Sequence, residues 1–183
     1  MVDKLKIKQL TREFIIAIGD DPDREGVVDT PRRVADMCEE ILDPTTANMK
    51  YTIFNSDNYD GIVLVRDISF SSLCEHHLLP FIGKIHLAYI PDTEVIGLSK
   101  LARLVDKHSK RLQLQERLAN EIVADMSAVL NPKGIAIYIE AKHLCMTIRG
   151  VKRPETATVT TVFTGLFKEF HMQEMFFDMI QAH

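Results

Sequence analysis

The chain has 183 residues, enough for one domain with a sizeable apolar core. Hydrophobic residues make up 46% of it and charged residues 26%, a composition typical of globular proteins. Its 22 basic and 26 acidic residues give a net charge of -4, which argues against broad nucleic-acid binding. No apolar run approaches the roughly 20 residues that span a bilayer, and the charged N-terminus MVDKLKIKQL lacks the apolar segment of a secretory signal. We therefore expect no nucleic-acid partner, no membrane partner and a cytoplasmic location.

The N-terminal part of the sequence has helical periodicity. Apolar residues at spacings of three and four predict a helix from Lys4 to Ile18. A second helix is predicted from Pro31 to Ile41, with Thr30 as its N-cap. Cys38 lies on the apolar face of this helix and is predicted to be a buried structural thiol. Three cysteines without a signal peptide indicate reduced thiols, not a disulfide framework.

The rest of the chain shows strand and helix patterns separated by turn residues. The predicted elements are a weak strand at Tyr51–Phe54, strands at Ile62–Phe70 and Phe81–Ile90, helices at Leu98–His108 and Gln113–Leu130, strands at Ile135–Leu144 and Thr156–Phe163, and a helix at Phe170–Ile180. An antiparallel four-stranded sheet with both central helices on one face is the expected packing, an α+β fold. Association between subunits would cover its exposed edge strands. We divide the chain into a helical segment, 1–47, and a main domain, 48–183.

The first candidate site is the segment Cys74-Glu75-His76-His77 between two predicted strands. A thiolate and an imidazole are ligands that Zn²⁺ takes readily, but side chains three apart on a strand point to opposite faces. The segment must therefore bend if Cys74 and His77 share an ion. Cys145, at the end of a later strand, is the expected third ligand, which leaves the fourth position open as in a catalytic zinc site. A closed structural zinc with His76 or His143 as the fourth ligand, or thiols without metal, remain alternatives.

Further polar side chains surround this candidate metal site. His143 lies two residues before Cys145, and this spacing on a strand predicts that both line one pocket. His76 and His143 are candidates for acid–base work because a histidine titrates near neutral pH. Glu116, at the start of a predicted helix, is either a carboxylate stabilised by the helix dipole or an acceptor for two donors of a planar heterocycle.

One face of the first central helix is cationic. It carries Lys100, Arg103 and Lys107, and Ser99 precedes them. Such a face is usually only solvated. Arg149, which follows the Cys145 strand, favours an anion pocket instead, because a guanidinium suits the geometry of phosphate.

Several sequence blocks resemble those of the GTP cyclohydrolase I family. They are, in the family's order, DPDREGVVDTPRRVADM, CEHHLLPFIGKIHLAYIP, GLSKLARLV, RLQLQERLA, AKHLCMTIRGV and TATVTTVFTGLF. The resemblance runs from about Asp21 to Phe167. It implies the tunnelling fold, in which strand pairs of neighbouring subunits close a barrel, and a homodecamer of two face-to-face pentamers with active sites at subunit interfaces.

The resemblance also implies roles for individual residues. It assigns zinc to Cys74, His77 and Cys145, and acid–base roles to His76 and His143. Glu116, helped by Gln115, would hold the guanine edge of GTP. The triphosphate would be held by Ser99, Lys100, Arg103 and Arg149, with a basic residue such as Arg32 reaching in from another subunit. The implied reaction converts GTP and water to 7,8-dihydroneopterin triphosphate and formate.

Two other functions are weighed against this one. A related tunnelling-fold reductase acts on a modified purine nitrile through a covalent cysteine and NADPH, and it needs no zinc. A non-catalytic nucleotide or metal sensor would have no need of both His76 and His143. The full set of three metal ligands and two histidines favours the zinc enzyme over either alternative.

Overall fold

The structure is a computed structural model that describes residues 2–42 and 49–182. The chain divides into two compact units, residues 1–44 and 45–183. The predicted boundary between residues 47 and 48 lies outside the described residues. Within the described residues, no helix is both long enough and apolar enough to span a membrane.

The N-terminal unit is a pair of helices, α1 (Lys4–Ala17) and α2 (Thr30–Ile41), as predicted. Asp3 caps α1 by accepting a hydrogen bond from the backbone N–H of Lys6. The N-cap of α2 is Asp29 and not the predicted Thr30, which already lies in the helix. Cys38 is only partly buried, so the prediction of a buried structural thiol is wrong; α2 buries Ala35 instead.

The second unit contains the remaining strands and helices. Their observed bounds are β1 (Ile53–Asn55), β2 (Val63–Cys74), β3 (Pro80–Ile90), β4 (Glu94–Ile96), α3 (Leu98–Ser109), β5 (Leu112–Gln113), α4 (Gln115–Leu130), β6 (Gly134–His143), α5 (Leu144–Thr147), β7 (Thr158–Phe163), a 3₁₀ turn (Gly165–Lys168) and α6 (Phe170–Gln181). Strand β1 pairs with β4 in a separate two-stranded ribbon. The α+β prediction is confirmed, with a largely antiparallel main sheet.

The main sheet has five strands in the order β5-β2-β3-β6-β7. The prediction of four strands is wrong because β5 adds a two-residue parallel edge beside Leu73 and Cys74. The sequence pattern predicts a helix that starts at Gln113, but Gln113 lies in β5 and α4 begins two residues later. This edge strand matters for the site, since it connects the end of β2 directly to the first turn of α4.

Successive side chains of the central strands point to opposite faces of the sheet, and an apolar core lies on each face. In β6, Ile135, Ile137 and Ile139 are fully buried in the larger core, together with the apolar faces of α3 and α4. Ala136 lies in a smaller core with Phe167 and Phe176, so α6 covers part of the opposite face. The two central helices therefore share one face of the sheet, as predicted. The polar ends of β2, β6 and α4 meet at one edge of this core.

Candidate active site

A tight turn joins β2 to β3 and carries the first two candidate ligands. The backbone N–H of Leu78 donates to the carbonyl of Cys74 at 2.9 Å, and the N–H of Cys74 donates to the carbonyl of Leu79 at 2.9 Å. Leu78 closes the turn with φ of 55°, a left-handed conformation that is strained for a bulky residue. The bend required by the sequence argument is therefore present, and it turns His77 back toward Cys74.

Three ligand atoms converge at this turn. One nitrogen of His77 and the sulfur atoms of Cys74 and Cys145 all lie within 4.8 Å of one another. A tetrahedral zinc with bonds of about 2.0–2.3 Å spaces its ligands by less than about 4 Å, so small side-chain adjustments bring the three into range. In the part of the chain that the structure describes, this group has three members. Two thiols and one imidazole fit zinc, with a position left for water or substrate.

Cys145 reaches the site by a route that the sequence did not predict. Strand β6 ends at His143, and Cys145 lies in α5, a single helical turn closed by the bond from the N–H of Ile148 to the carbonyl of Leu144. The prediction that His143 and Cys145 share a face of one strand is thus wrong in its geometry. The helical turn nevertheless brings both side chains to the same pocket.

The thiol of Cys145 lies beside that of Cys74. Burial raises the pKa of Cys145, and the neighbouring Cys74 raises it further, while the guanidinium of Arg149 opposes the change. Without metal, the Cys145 thiol therefore keeps its proton at neutral pH. A metal ion that binds here must displace that proton.

A cavity of about 270 Å³ adjoins the ligand cluster. Its lining includes Cys74, His76, Gln115, Glu116, His143 and Cys145. The volume is below the range of about 300–1,000 Å³ that ligand pockets usually occupy. The pocket of one chain therefore has room for only part of a large ligand.

His143 is held firmly inside this pocket. Its ring is stacked on Phe81, its cross-strand neighbour, with ring centroids 4.7 Å apart and planes 1° apart. Its Nε2 lies 2.8 Å from Oε1 of Gln115. Burial lowers the pKa of His143, and the charge of Glu116 partly opposes this. The imidazole is therefore neutral at neutral pH and able to accept a proton.

Glu75, for which the sequence offered no role, fixes the turn to α4. Its carboxylate accepts two hydrogen bonds from the guanidinium of Arg117, at 2.5 and 3.2 Å. This contact with Arg117 lowers the pKa of Glu75. The pair joins the segment that carries His76 and His77 to the first turns of α4. No sequence signal pointed to it, because 42 residues separate the two side chains.

The predicted phosphate-binding residues are divided between two places. Arg149 donates a hydrogen bond to Nε2 of His77 at 3.0 Å and so lies at the metal cluster. Ser99, Lys100 and Arg103 lie in the first half of α3 and are not among the described residues that line the pocket. The other end of α3 adjoins the pocket wall, where Gln113 donates to the carbonyl of His108. Ser99 is nine residues from His108, about 14 Å along the helix.

Two assignments on these helices are refined by the contacts. Lys107, counted on the cationic face, is bound to Asp125 at 2.6 Å, whereas Lys100 and Arg103 form no ion pair with any residue that the structure describes. Glu116 is exposed in the first turn of α4 and lines the pocket. Gln115 is 2% exposed and makes its hydrogen bonds within the chain.

Comparison with known proteins places the chain in a family. The family model described as GTP cyclohydrolase I matches residues 7–181. The chain belongs to this family. It is 53% identical over 185 aligned positions to GTP cyclohydrolase 1 of a Sulfurihydrogenibium species, covering 100% of this chain and 98% of that protein. It is also 50% identical over 183 positions to GTP cyclohydrolase 1 of Aquifex aeolicus, covering 99% and 98% of the two chains.

The predicted membership of the GTP cyclohydrolase I family is thus confirmed, and so is the prediction that the chain is an enzyme of that family. Among solved structures, the apo form of the archaeosine synthase QueF-Like covers 57% of this chain and 93% of its own, with 17% identity and a TM-score of 0.47. That likeness is too distant to bear on function.

Proposed function

We propose that this pocket binds GTP and hydrolyses its purine ring at C8, and that the chain rearranges the opened nucleotide to 7,8-dihydroneopterin triphosphate with release of formate. The observation that carries this proposal is the cluster of Cys74, His77 and Cys145, two of whose members line a pocket together with His143 and Glu116. Family membership supports the same reaction. The donor set favours zinc as the resident ion.

Cys74, His77 and Cys145 would hold the zinc. A bound zinc ion supplies a water whose pKa is lowered toward about 7, a nucleophile suited to an electron-poor ring carbon. The Glu75–Arg117 pair would keep the turn in the geometry that binds the ion. In other metalloproteins, residues that do not bind the ion orient its ligands through hydrogen bonds in a similar way.

His143 would move the proton that ring opening requires. Because its imidazole is neutral in the buried pocket, it can take a proton during attack at C8 and return it to the ring nitrogen that leaves. His76 lies on the turn with its ring centroid 6.2 Å from that of His77, and it would serve the later opening of the ribose and closure of the pterin. A pair of histidines allows proton transfer on two sides of one substrate.

Glu116 would accept two donors from the guanine edge, since its exposed carboxylate lines the pocket. Arg149 would bind the triphosphate at the metal side. Ser99, Lys100 and Arg103 would do so from α3 of a neighbouring subunit, because in their own chain they lie toward the far end of that helix from the pocket. This division supports active sites between subunits, which the tunnelling-fold homodecamer implied by the family resemblance would provide.

The test is an incubation of zinc-loaded protein with GTP, followed by assays of formate and of neopterin fluorescence after oxidation. We expect both products, and we expect their loss when zinc is removed and recovery when it is restored. The variant His143→Ala should lose turnover, whereas His171→Ala, which removes an exposed histidine of α6, should not. A zinc-loaded protein that yields neither product would refute the proposal.

A further inference from the structure

The side chain of Gln115 is hydrogen-bonded at both its nitrogen and its oxygen in the pocket wall. Its amide nitrogen donates to the main-chain carbonyl oxygens of Ile139 at 3.2 Å and Thr158 at 3.0 Å, and lies 3.2 Å from Oγ1 of Thr160. A carbonyl oxygen can only accept, so the amide nitrogen must face strands β6 and β7. The amide oxygen is thereby directed at Nε2 of His143, 2.8 Å away.

This orientation determines which ring nitrogen of His143 carries its proton. The amide oxygen of Gln115 has no hydrogen to donate, so Nε2 of His143 must be the donor. Nδ1 of the neutral ring is then the nitrogen with a free lone pair. The stack on Phe81 fixes the plane of the same ring, with planes 1° apart. One side chain therefore sets the tautomer and another sets the plane.

We propose that Gln115 is a positioning residue, which holds His143 with its proton on Nε2 and so presents Nδ1 to the substrate. This inference rests on the proposed function of His143 in proton transfer. It assigns Gln115 a role different from the guanine contact that the sequence resemblance implied. The two roles differ in a measurable way, because a guanine contact acts on substrate binding and a positioning residue acts on turnover.

The burial of Gln115 favours the positioning role. Its side chain has protein partners on both the nitrogen and the oxygen and is 2% exposed. Turning it toward a guanine would leave the carbonyl oxygens of Ile139 and Thr158 and Nε2 of His143 without this partner, a change that is unfavourable for buried groups. Glu116, the next residue, is exposed, lines the pocket and accepts no hydrogen bond from the side chains that the structure describes, so its carboxylate suits that contact.

The direct test is solid-state ¹⁵N NMR of zinc-loaded protein labelled at histidine, with the His143 signals assigned by their absence in His143→Asn. We expect the pattern of a neutral imidazole protonated at Nε2 in the wild type. In Gln115→Met, which keeps the length of the side chain and removes its polar atoms, we expect a mixture of tautomers. A wild-type His143 protonated at Nδ1 would overturn the inference, whatever the variants do.

Steady-state kinetics provide the second readout. Gln115→Met should lower kcat by about 10- to 100-fold, the size expected when a proton-transfer group is misaligned, with KM for GTP changed less than about threefold. Thr160→Val is the matched control, because it removes one partner of the same amide nitrogen and leaves the oxygen facing His143; its kcat should stay within about twofold of the wild type. A raised KM with unchanged kcat in Gln115→Met would support the guanine contact and refute the positioning role.

The inference and the proposed function fail separately. A wild-type protein that releases no formate would refute the proposed function, while the NMR pattern of His143 would still report the action of Gln115. An active wild type whose Gln115→Met variant keeps both the tautomer and kcat would refute the inference alone. If Gln115→Met does not fold, the wild-type tautomer decides the matter.

Discussion

The stack between Phe81 and His143 allows a quantitative prediction for the variant Phe81→Leu. Phe81 is fully buried, lies parallel to His143 at 4.7 Å and meets the ring of Phe70 edge-on at 5.7 Å. Leucine keeps much of the buried surface but neither ring contact. At about 0.5–1.5 kcal/mol for each aromatic pair, we expect the free energy of unfolding to fall by about 1–3 kcal/mol.

The same substitution should affect turnover more than binding. Without the ring of Phe81 beneath it, His143 keeps its hydrogen bond to Gln115 but loses the surface that fixes its plane. A displacement of about 1 Å in a proton-transfer group can lower a rate by about 100-fold. We expect kcat to fall by about 10- to 100-fold, with KM for GTP and the zinc content nearly unchanged.

Phe70→Leu is the matched control for Phe81→Leu. It removes the edge-on ring pair and leaves the stack under His143 in place, so it should cost about 0.5–1.5 kcal/mol of stability with little change in kcat. Unfolding by denaturant, zinc analysis and formate release should be measured on both variants at one protein concentration. Equal losses of kcat in the two variants would refute the reasoning, because stability alone would then explain the effect.

Three further predictions concern the metal ligands and their support. Cys145→Ser should lose zinc and activity together, whereas His143→Ala should keep zinc and lose turnover. If metal analysis finds no zinc in His143→Ala, His143 is a metal ligand and its acid–base role is refuted. Because the pKa of Cys145 is raised, a proton competes with zinc, and chelator competition should show affinity falling as pH is lowered, by up to about tenfold per pH unit for each proton displaced. Arg117→Met should weaken zinc retention by releasing Glu75, and the exchanged pair Glu75→Arg with Arg117→Glu should restore part of it; unchanged retention in Arg117→Met would contradict the support role.

The long elements were predictable because their burial is periodic. Helices α3 and α4 and strands β3 and β6 carry apolar residues at the spacing of one buried face, and all lie within two residues of their predicted bounds. Helix α4 ends where predicted, since Asn131 adopts the left-handed conformation typical of a C-cap and Pro132 follows. The two-residue strand β5 has no period to detect, because its pairing with Leu73 and Cys74 alone defines it.

The candidate metal ligands were predictable from residue chemistry, but their local geometry was not. The types and order of Cys74, His77 and Cys145 indicated a site with an open position, and the structure brings the three together. The helical turn that carries Cys145 interrupts a β-rich stretch. The alternation of side chains along a strand therefore predicted strand geometry for Cys145, where the structure has a helical turn. The left-handed Leu78 was equally hidden, because leucine rarely adopts that conformation.

The supporting contacts of the site lie beyond what one sequence reveals. The Glu75–Arg117 pair and the Gln115–His143 bond join residues 42 and 28 positions apart. Glutamine and arginine at a helix start are ordinary, and only the tertiary fold shows which acceptor each one meets. Contacts of this kind orient catalytic and metal-binding side chains, and a single sequence does not reveal that orientation.

The most direct test of the account follows the carbon atom at C8. Zinc-loaded protein is incubated with GTP labelled at C8, and the label is measured in formate and in the pterin product. The account predicts one labelled formate for each 7,8-dihydroneopterin triphosphate, with no label left in the pterin. Label retained in the nucleotide product, or pterin formed without labelled formate, would contradict hydrolysis at C8 by this site.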